Sequence, residues 1–262
     1  MGIITRVTLV DGTLEDFARD LEIALAQRQV TAAYQPQIDV TDGAMVGVEA
    51  LARWTHPGRG VVAPDVFVDI AQKAGLLPLL TARIIADVTT EYIPGCTIDV
   101  AVNVSATQLE DPSLYDMFEG AFATGRCDPK TLTVEVTESQ RIARPERVAG
   151  PLRALAAAGV TISVDDFGTG HSSFARVEAL HARELKLDKS LVQADDRVHE
   201  VAQIITEAHR RGIRVVGEGV ERRDQLDRLA DAGCDRAQGY LISQPQGAKA
   251  IFSWYRARLR EF

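Results

Sequence analysis

The stretch Val160-Thr-Ile-Ser-Val-Asp-Asp-Phe-Gly-Thr-Gly170 runs from an apolar alternation into two adjacent carboxylates, Asp165 and Asp166, and then into a glycine-rich turn. Side chains alternate across a strand, so Val160, Ile162 and Val164 share one face while Thr161, Ser163 and Asp165 share the other. The run reads as a strand with one greasy face and one face that ends in acid. Neighbouring carboxylates repel each other and are costly to bury, and a divalent cation offsets both costs. A solvated strand-to-loop turn uses the same residue types, so the neighbouring runs have to decide.

Working outward, seven further stretches read as strands: Ala33-Gln37, Met45-Arg53, Ile98-Asn103, Leu132-Thr137, Glu184-Leu187, Arg214-Glu218 and Ala237-Leu241. Helical patterns lie around and between them. Leu14 to Gln29 opens the series with Leu14, Phe17, Leu21 and Leu25 on one stripe, followed by Pro64 to Ala74, Leu79 to Thr89, Ser113 to Ala123, Pro145 to Ala158, Val198 to Arg211 and Arg223 to Ala232. Gly159, Gly212 and Gly233 fall where helices end, as C-cap glycines do. Strands alternating with helical crossovers predict a mainly parallel sheet. At 262 residues the chain has the length of one α/β barrel, about 250 residues.

A barrel explains the faces. The greasy side of each strand packs on the helices, and the other side points inward. Glu49, Asn103, Glu135, Asp165, Lys186 and Glu218 then converge at the C-terminal rim, where barrels of this kind carry their chemistry. One polar strand end is ordinarily a solvated terminus; six at equivalent positions are not. Carboxylates with an Asn carbonyl are hard oxygen donors, suited to Mg²⁺ or Mn²⁺ rather than zinc. Two such ions, about 3.5 to 4 Å apart, activate water and stabilise both oxygens of an in-line displacement at phosphorus. Phosphodiester hydrolysis is the reaction class that follows.

The rest of the composition narrows the field. A net charge of −8 argues against a long nucleic acid or an anionic membrane surface as partner. Met1 to Val10 has one basic residue and no long apolar core, so no secretory signal is expected, and no apolar run reaches a membrane span. Cys96, Cys127 and Cys234 fit neither a disulfide framework nor a Cys-x-x-Cys site, which points to a reducing cytoplasm. The five histidines form no His-Glu-x-x-His motif and have no evident nucleophile partner.

These residues resemble the EAL-domain cyclic di-GMP phosphodiesterases. The family motif stands at Glu49-Ala50-Leu51, continued by Ala52-Arg53-Trp54. Further blocks recur in the family's order: Tyr34-Gln35-Pro36, Val102-Asn103-Val104-Ser105, Glu135-Val136-Thr137-Glu138, Asp165 to Gly170, Leu185-Lys186-Leu187-Asp188, Val216 to Glu221 and Gln238-Gly239-Tyr240. The resemblance implies one domain over residues 1–262, with a segment and opening helix to residue 30 and a modified (β/α)₈ TIM-like barrel from about residue 31. It implies linearisation of cyclic di-GMP to pGpG in bacterial second-messenger signalling, with Mg²⁺ or Mn²⁺, two ions in all.

Carried over by position, Glu49, Asn103, Glu135 and Asp165 would bind one metal, and Asp166 with Asp188 would serve the second. Lys186 would hold the attacking water or steady charge beside it. Glu218 would be general base or metal ligand, Gln238 would position the site, and Gln35 and Arg53 would contact substrate. Glu138 would anchor the loop after the Asp pair. A Schiff base at Lys186 is disfavoured, because the surrounding acids keep it protonated. The family pattern also implies a homodimer through that loop and Phe174 to His181. No sensor or GGDEF-type segment is recognisable, so the input signal is not in view: a stand-alone protein and an excised domain, with a sensor or GGDEF-type domain outside this chain, are both open.

His171, Gln72 and Gln244 depart from the Tyr, Glu and Arg common at their positions; none is an expected metal ligand. A cyclic di-GMP receptor without turnover, and a barrel enzyme for another phosphodiester, are the competing readings.

Overall fold

The computed structural model describes residues 13–91, 98–137, 145–169 and 173–258. Nine strands lie among them: β1 (Val30–Asp39), β2 (Met45–His56), β3 (Gly60–Val62), β4 (Asp99–Val104), β5 (Leu132–Thr137), β6 (Thr161–Phe167), β7 (Glu184–Leu187), β8 (Arg214–Gly217) and β9 (Arg236–Gln238). Pairing runs β1-β9-β8-β7-β6-β5-β4-β2 and closes through β1 on β2, giving an eight-stranded barrel. The strands that close the ring correspond to the eight read from the sequence. β3 is a short hairpin arm on β2.

The barrel departs from regular parallel order at β1, which runs antiparallel to both β2 and β9. The other ring pairs are parallel. Inside, register sets side chains next to each other: Asn103 pairs with Glu135, Gln35 with Glu49 and Gln37 with Gln238.

The greasy faces do what the alternation implied. Val100, Val102, Leu132, Val134, Ile162, Val164 and Leu185 are buried in the main core cluster beneath the outer helices. A second core lies under helix Leu14–Ala26, where Phe17, Leu21 and Leu25 pack with Trp54, Val62 and Phe67. Leu14 does not join them; at the first position of its helix it stays exposed. The three expected C-cap glycines all take positive φ, at 109° for Gly159, 68° for Gly212 and 78° for Gly233. Among the described residues no helix is long and apolar enough to cross a membrane.

Candidate active site

Six strand ends meet at Lys186. Its side chain is buried, and its Nζ lies 2.7 Å from Glu218, 2.9 Å from Glu135, 3.3 Å from Glu49 and 3.5 Å from Asp165. Asn103 joins by donating Nδ2 to Glu49 Oε1 at 2.7 Å, which leaves its carbonyl oxygen for another partner. The six residues expected at the rim are thus one connected cluster.

Asp166 joins them through a backbone irregularity. In a regular strand it would point away from Asp165. Between β6 and β7 the register slips: Val164 pairs with Leu185 and Phe167 with Leu187, so one extra residue is accommodated at the acid pair. Asp166 there adopts φ 59°, in the left-handed region that Asp tolerates better than most residues. Bulges of this kind re-aim side chains beside active sites. As a result, ligand atoms of Asp165, Asp166 and Glu218 lie within 4.8 Å of one another.

Burial and crowding set the protonation. Burial and the charge of Glu49 push the Glu135 carboxyl well up, against the pull of Lys186. Asp166 is raised to about 6 by burial and by the charges of Asp165 and Asp188. Glu218 is raised to about 8, burial outweighing the nearby ammonium, and burial also raises Asp165. Glu49 goes the other way: burial works against its charge, but Lys186, Gln238 and Asn103 together hold its carboxyl below the usual range. Lys186 stays protonated because four carboxylates outweigh its burial.

The substrate candidates divide. Gln238 donates to Glu49 Oε2 at 2.6 Å and to Gln35 Oε1 at 3.2 Å, and Gln37 donates to Gln238 Oε1 at 3.0 Å. Gln238 therefore braces Glu49 directly, while Gln35 and Gln37 hold Gln238. Gln37, buried in the same ladder, is not among the residues expected from the sequence; it lies two residues from Gln35 on the same strand face, and that spacing is the available signal. Arg53 instead lines a cavity of about 530 Å³ that reaches Asn103, Ser105, Thr137 and Asp166. Gln72 lines it too, whereas Gln244 lies in an exposed loop.

Asp188 is placed differently from the acid trio. Its Oδ1 accepts the Ser190 amide at 2.8 Å and caps helix Lys189–Val192, and its charge reaches Asp166. Glu138, His171 and Cys96 lie outside the described residues. Cys127 and Cys234 are free and buried, and burial raises both thiols, Cys127 to about 11 and Cys234 to about 12, so neither is a nucleophile at neutral pH.

Known proteins resemble the chain over most of its length. The chain is 34% identical over 243 residues to the bifunctional diguanylate cyclase/cyclic di-GMP phosphodiesterase MucR of Pseudomonas aeruginosa, across 89% of this chain and 36% of that protein. It is 35% identical over 263 residues to the cyclic di-GMP phosphodiesterase NbdA of the same organism, across 97% of this chain and 34% of that protein. The chain thus spans about a third of the length of these curated relatives. Among solved structures, the MucR phosphodiesterase in complex with c-di-GMP matches with a TM-score of 0.83 and 33% identity, over 90% of this chain and 99% of that one. The model of the EAL domain family matches residues 18–245, and the chain belongs to that family.

Proposed function

We propose that this chain hydrolyses cyclic di-GMP to linear pGpG with two Mg²⁺ or Mn²⁺ ions. The supporting observation is the cluster itself: five carboxylates, Glu49, Glu135, Asp165, Asp166 and Glu218, around the single ammonium of Lys186. Fully ionised, that set carries four excess negative charges, the charge that two dications balance. Glu135 Oε1 is buried with no hydrogen-bond partner, as a cation ligand would be. Oxygen donors alone suit Mg²⁺ and Mn²⁺.

Glu49, Asn103, Glu135 and Asp165 would hold one ion, and Asp166 the second, with Asp188 nearby. When bound, the ions supply Lewis-acid charge at phosphorus and make water acidic enough to attack at neutral pH. The chain's own groups do the rest. Lys186, held protonated, fixes its carboxylates and sets positive charge beside the attacking water. Glu218 takes the water's proton, a role suited to a carboxyl raised toward neutral pH. Arg53 steadies the phosphate from the adjoining cavity, while Gln35 and Gln238 keep Glu49 in place. Attack in line breaks one bridging P–O bond; the phosphate keeps the water oxygen and the departing ribose oxygen gains a proton.

The names and complexes of the relatives favour cyclic di-GMP over other phosphodiesters. The test is to incubate the purified chain and Mg²⁺ or Mn²⁺ with cyclic di-GMP, other cyclic nucleotides and a linear dinucleotide, and to resolve the products by chromatography. pGpG from cyclic di-GMP alone is the expected result. Saturable binding of cyclic di-GMP with no product would make the chain a receptor, and turnover of the other substrates at similar rates would make it a general phosphodiesterase.

A further inference from the structure

Helix Lys189–Val192 follows β7 directly and is closed at both ends. Asp188 Oδ1 accepts the Ser190 amide at 2.8 Å, and the Gln193 amide donates to the Lys189 carbonyl at 2.8 Å. The chain entering it is tied on both sides: the Asp188 amide donates to the Phe167 carbonyl and the Glu218 amide to the Leu187 carbonyl, each at 3.1 Å. Because β7 lies between β6 and β8, the helix stands between the strand end that carries Asp166 and the one that carries Glu218.

Two glycines let it press on both neighbours. Gly168 has φ 106° and Gly219 has φ 64°; a Cβ on the first would overlap Leu191 Cδ1, and one on the second would overlap the Lys189 Cβ. Leu191 is buried in the main core, so close packing gives it no room to withdraw. On the other side Gln193 Nε2 donates to the Gly219 carbonyl at 2.7 Å. Leu191 thus bears on the chain two residues beyond Asp166, and Gln193 holds the residue next to Glu218.

We propose that Leu191 and Gln193 are positioning residues: they make this helix a spacer that fixes how closely Asp166 and Glu218 approach, and so favours a small dication over a large one. This rests on the reading that the acid cluster takes divalent cations. Ligand atoms of Asp165, Asp166 and Glu218 lie within 4.8 Å of one another. Mg²⁺ demands near-octahedral oxygens at about 2.0–2.1 Å, whereas Ca²⁺ accepts looser sets at about 2.3–2.6 Å. Acids held at a fixed spacing select the smaller ion; released on either side of the helix, they accommodate the larger one.

The test titrates the EDTA-treated whole chain with Mg²⁺ and with Ca²⁺ by calorimetry and takes the ratio of the two affinities, the binding heat lost in Asp166→Asn marking the site concerned. Gln193→Leu, which keeps the bulk and removes the donor, should lower the preference for Mg²⁺ about five- to tenfold, as much as one hydrogen bond supports. Leu191→Val, which withdraws the Cδ1 contact, should shift the ratio the same way. Gln193→Lys, which restores a donor, should return it toward wild type. A merely structural role would lower the melting temperature and leave the ratio alone. An unchanged ratio in folded Gln193→Leu and Leu191→Val would overturn the spacer while the cation reading stands; no Asp166-dependent cation heat in wild type would overturn both.

Discussion

Asp166 owes its place to a backbone conformation that its neighbours impose. The bulge and a φ of 59° bring two consecutive carboxylates into one site, and such conformations cost about 1 kcal/mol or more for a residue with a Cβ. Asn tolerates the same region and carries no charge, so Asp166→Asn should keep or raise the melting temperature in EDTA while lowering hydrolysis on the order of 10²-fold. A cooperative melt well below wild type would show that its charge is not a cost to the fold.

The raised carboxyls make a second residue-scale prediction. Glu218 titrates near 8 and Asp166 near 6 in the folded chain, against 4.5 and 3.8 as ordinary values. Groups with raised folded values give stability that is complete below the ordinary value and is lost as pH rises through the folded one. The EDTA-treated protein should therefore lose stability between about pH 4 and pH 8. Glu49, held low, acts in the opposite direction only below its ordinary 4.5. Mg²⁺ competes with those protons, so its stabilising shift in melting temperature should be larger at pH 8 than at pH 6. An equal shift at both would contradict the assigned ligands.

At the scale of elements, alternation made the inward face legible, because polar strand ends that recur on the same face around a ring point to a shared interior. Glu49, Asn103, Glu135, Asp165, Lys186 and Glu218 could be read in this way. Strand direction could not, since β1 alternates identically whether it runs with or against β2. The three residues of β3 are too few for a period, and the short helices Ala106–Leu109 and Lys189–Val192 are set by their caps at Ser105 and Asp188. The bulge depends on what β7 pairs with, which is not local information.

Gly239 is an element-scale constraint. A Cβ there would lie 2.2 Å from the Val220 backbone nitrogen and oxygen, where Val220 donates to the Gln238 carbonyl at 3.0 Å. Gly239→Ala must push β9 away from the segment after β8, which carries Glu218. It should cost roughly 1–3 kcal/mol of stability and weaken Mg²⁺ binding as well. Wild-type metal titration in a destabilised variant would separate Gly239 from the site.

Over the whole molecule, the barrel keeps its two ends for different purposes. At the end opposite the acid cluster, Arg236 meets Asp99 at 2.7 Å and Arg214 meets Glu184 at 2.6 Å. Glu184 is buried one inward position below Lys186 on β7. This network has a cation for each acid and no excess charge to attract metal, so it reads as support. Glu184→Gln should lower stability by about 1–3 kcal/mol, since it weakens a buried charged contact, and leave the rate constant of the folded enzyme unchanged. A large loss of rate in the folded variant would place function at this end too.

The most direct measurement follows pGpG formation against Mn²⁺ concentration in wild type and Glu49→Gln side by side, starting from EDTA-treated protein. The expected wild-type curve rises from zero and saturates, with the variant on the order of 10²-fold slower at every concentration. Undiminished hydrolysis in EDTA, or a Glu49→Gln curve that overlays wild type, would contradict a cation-dependent centre built on these carboxylates.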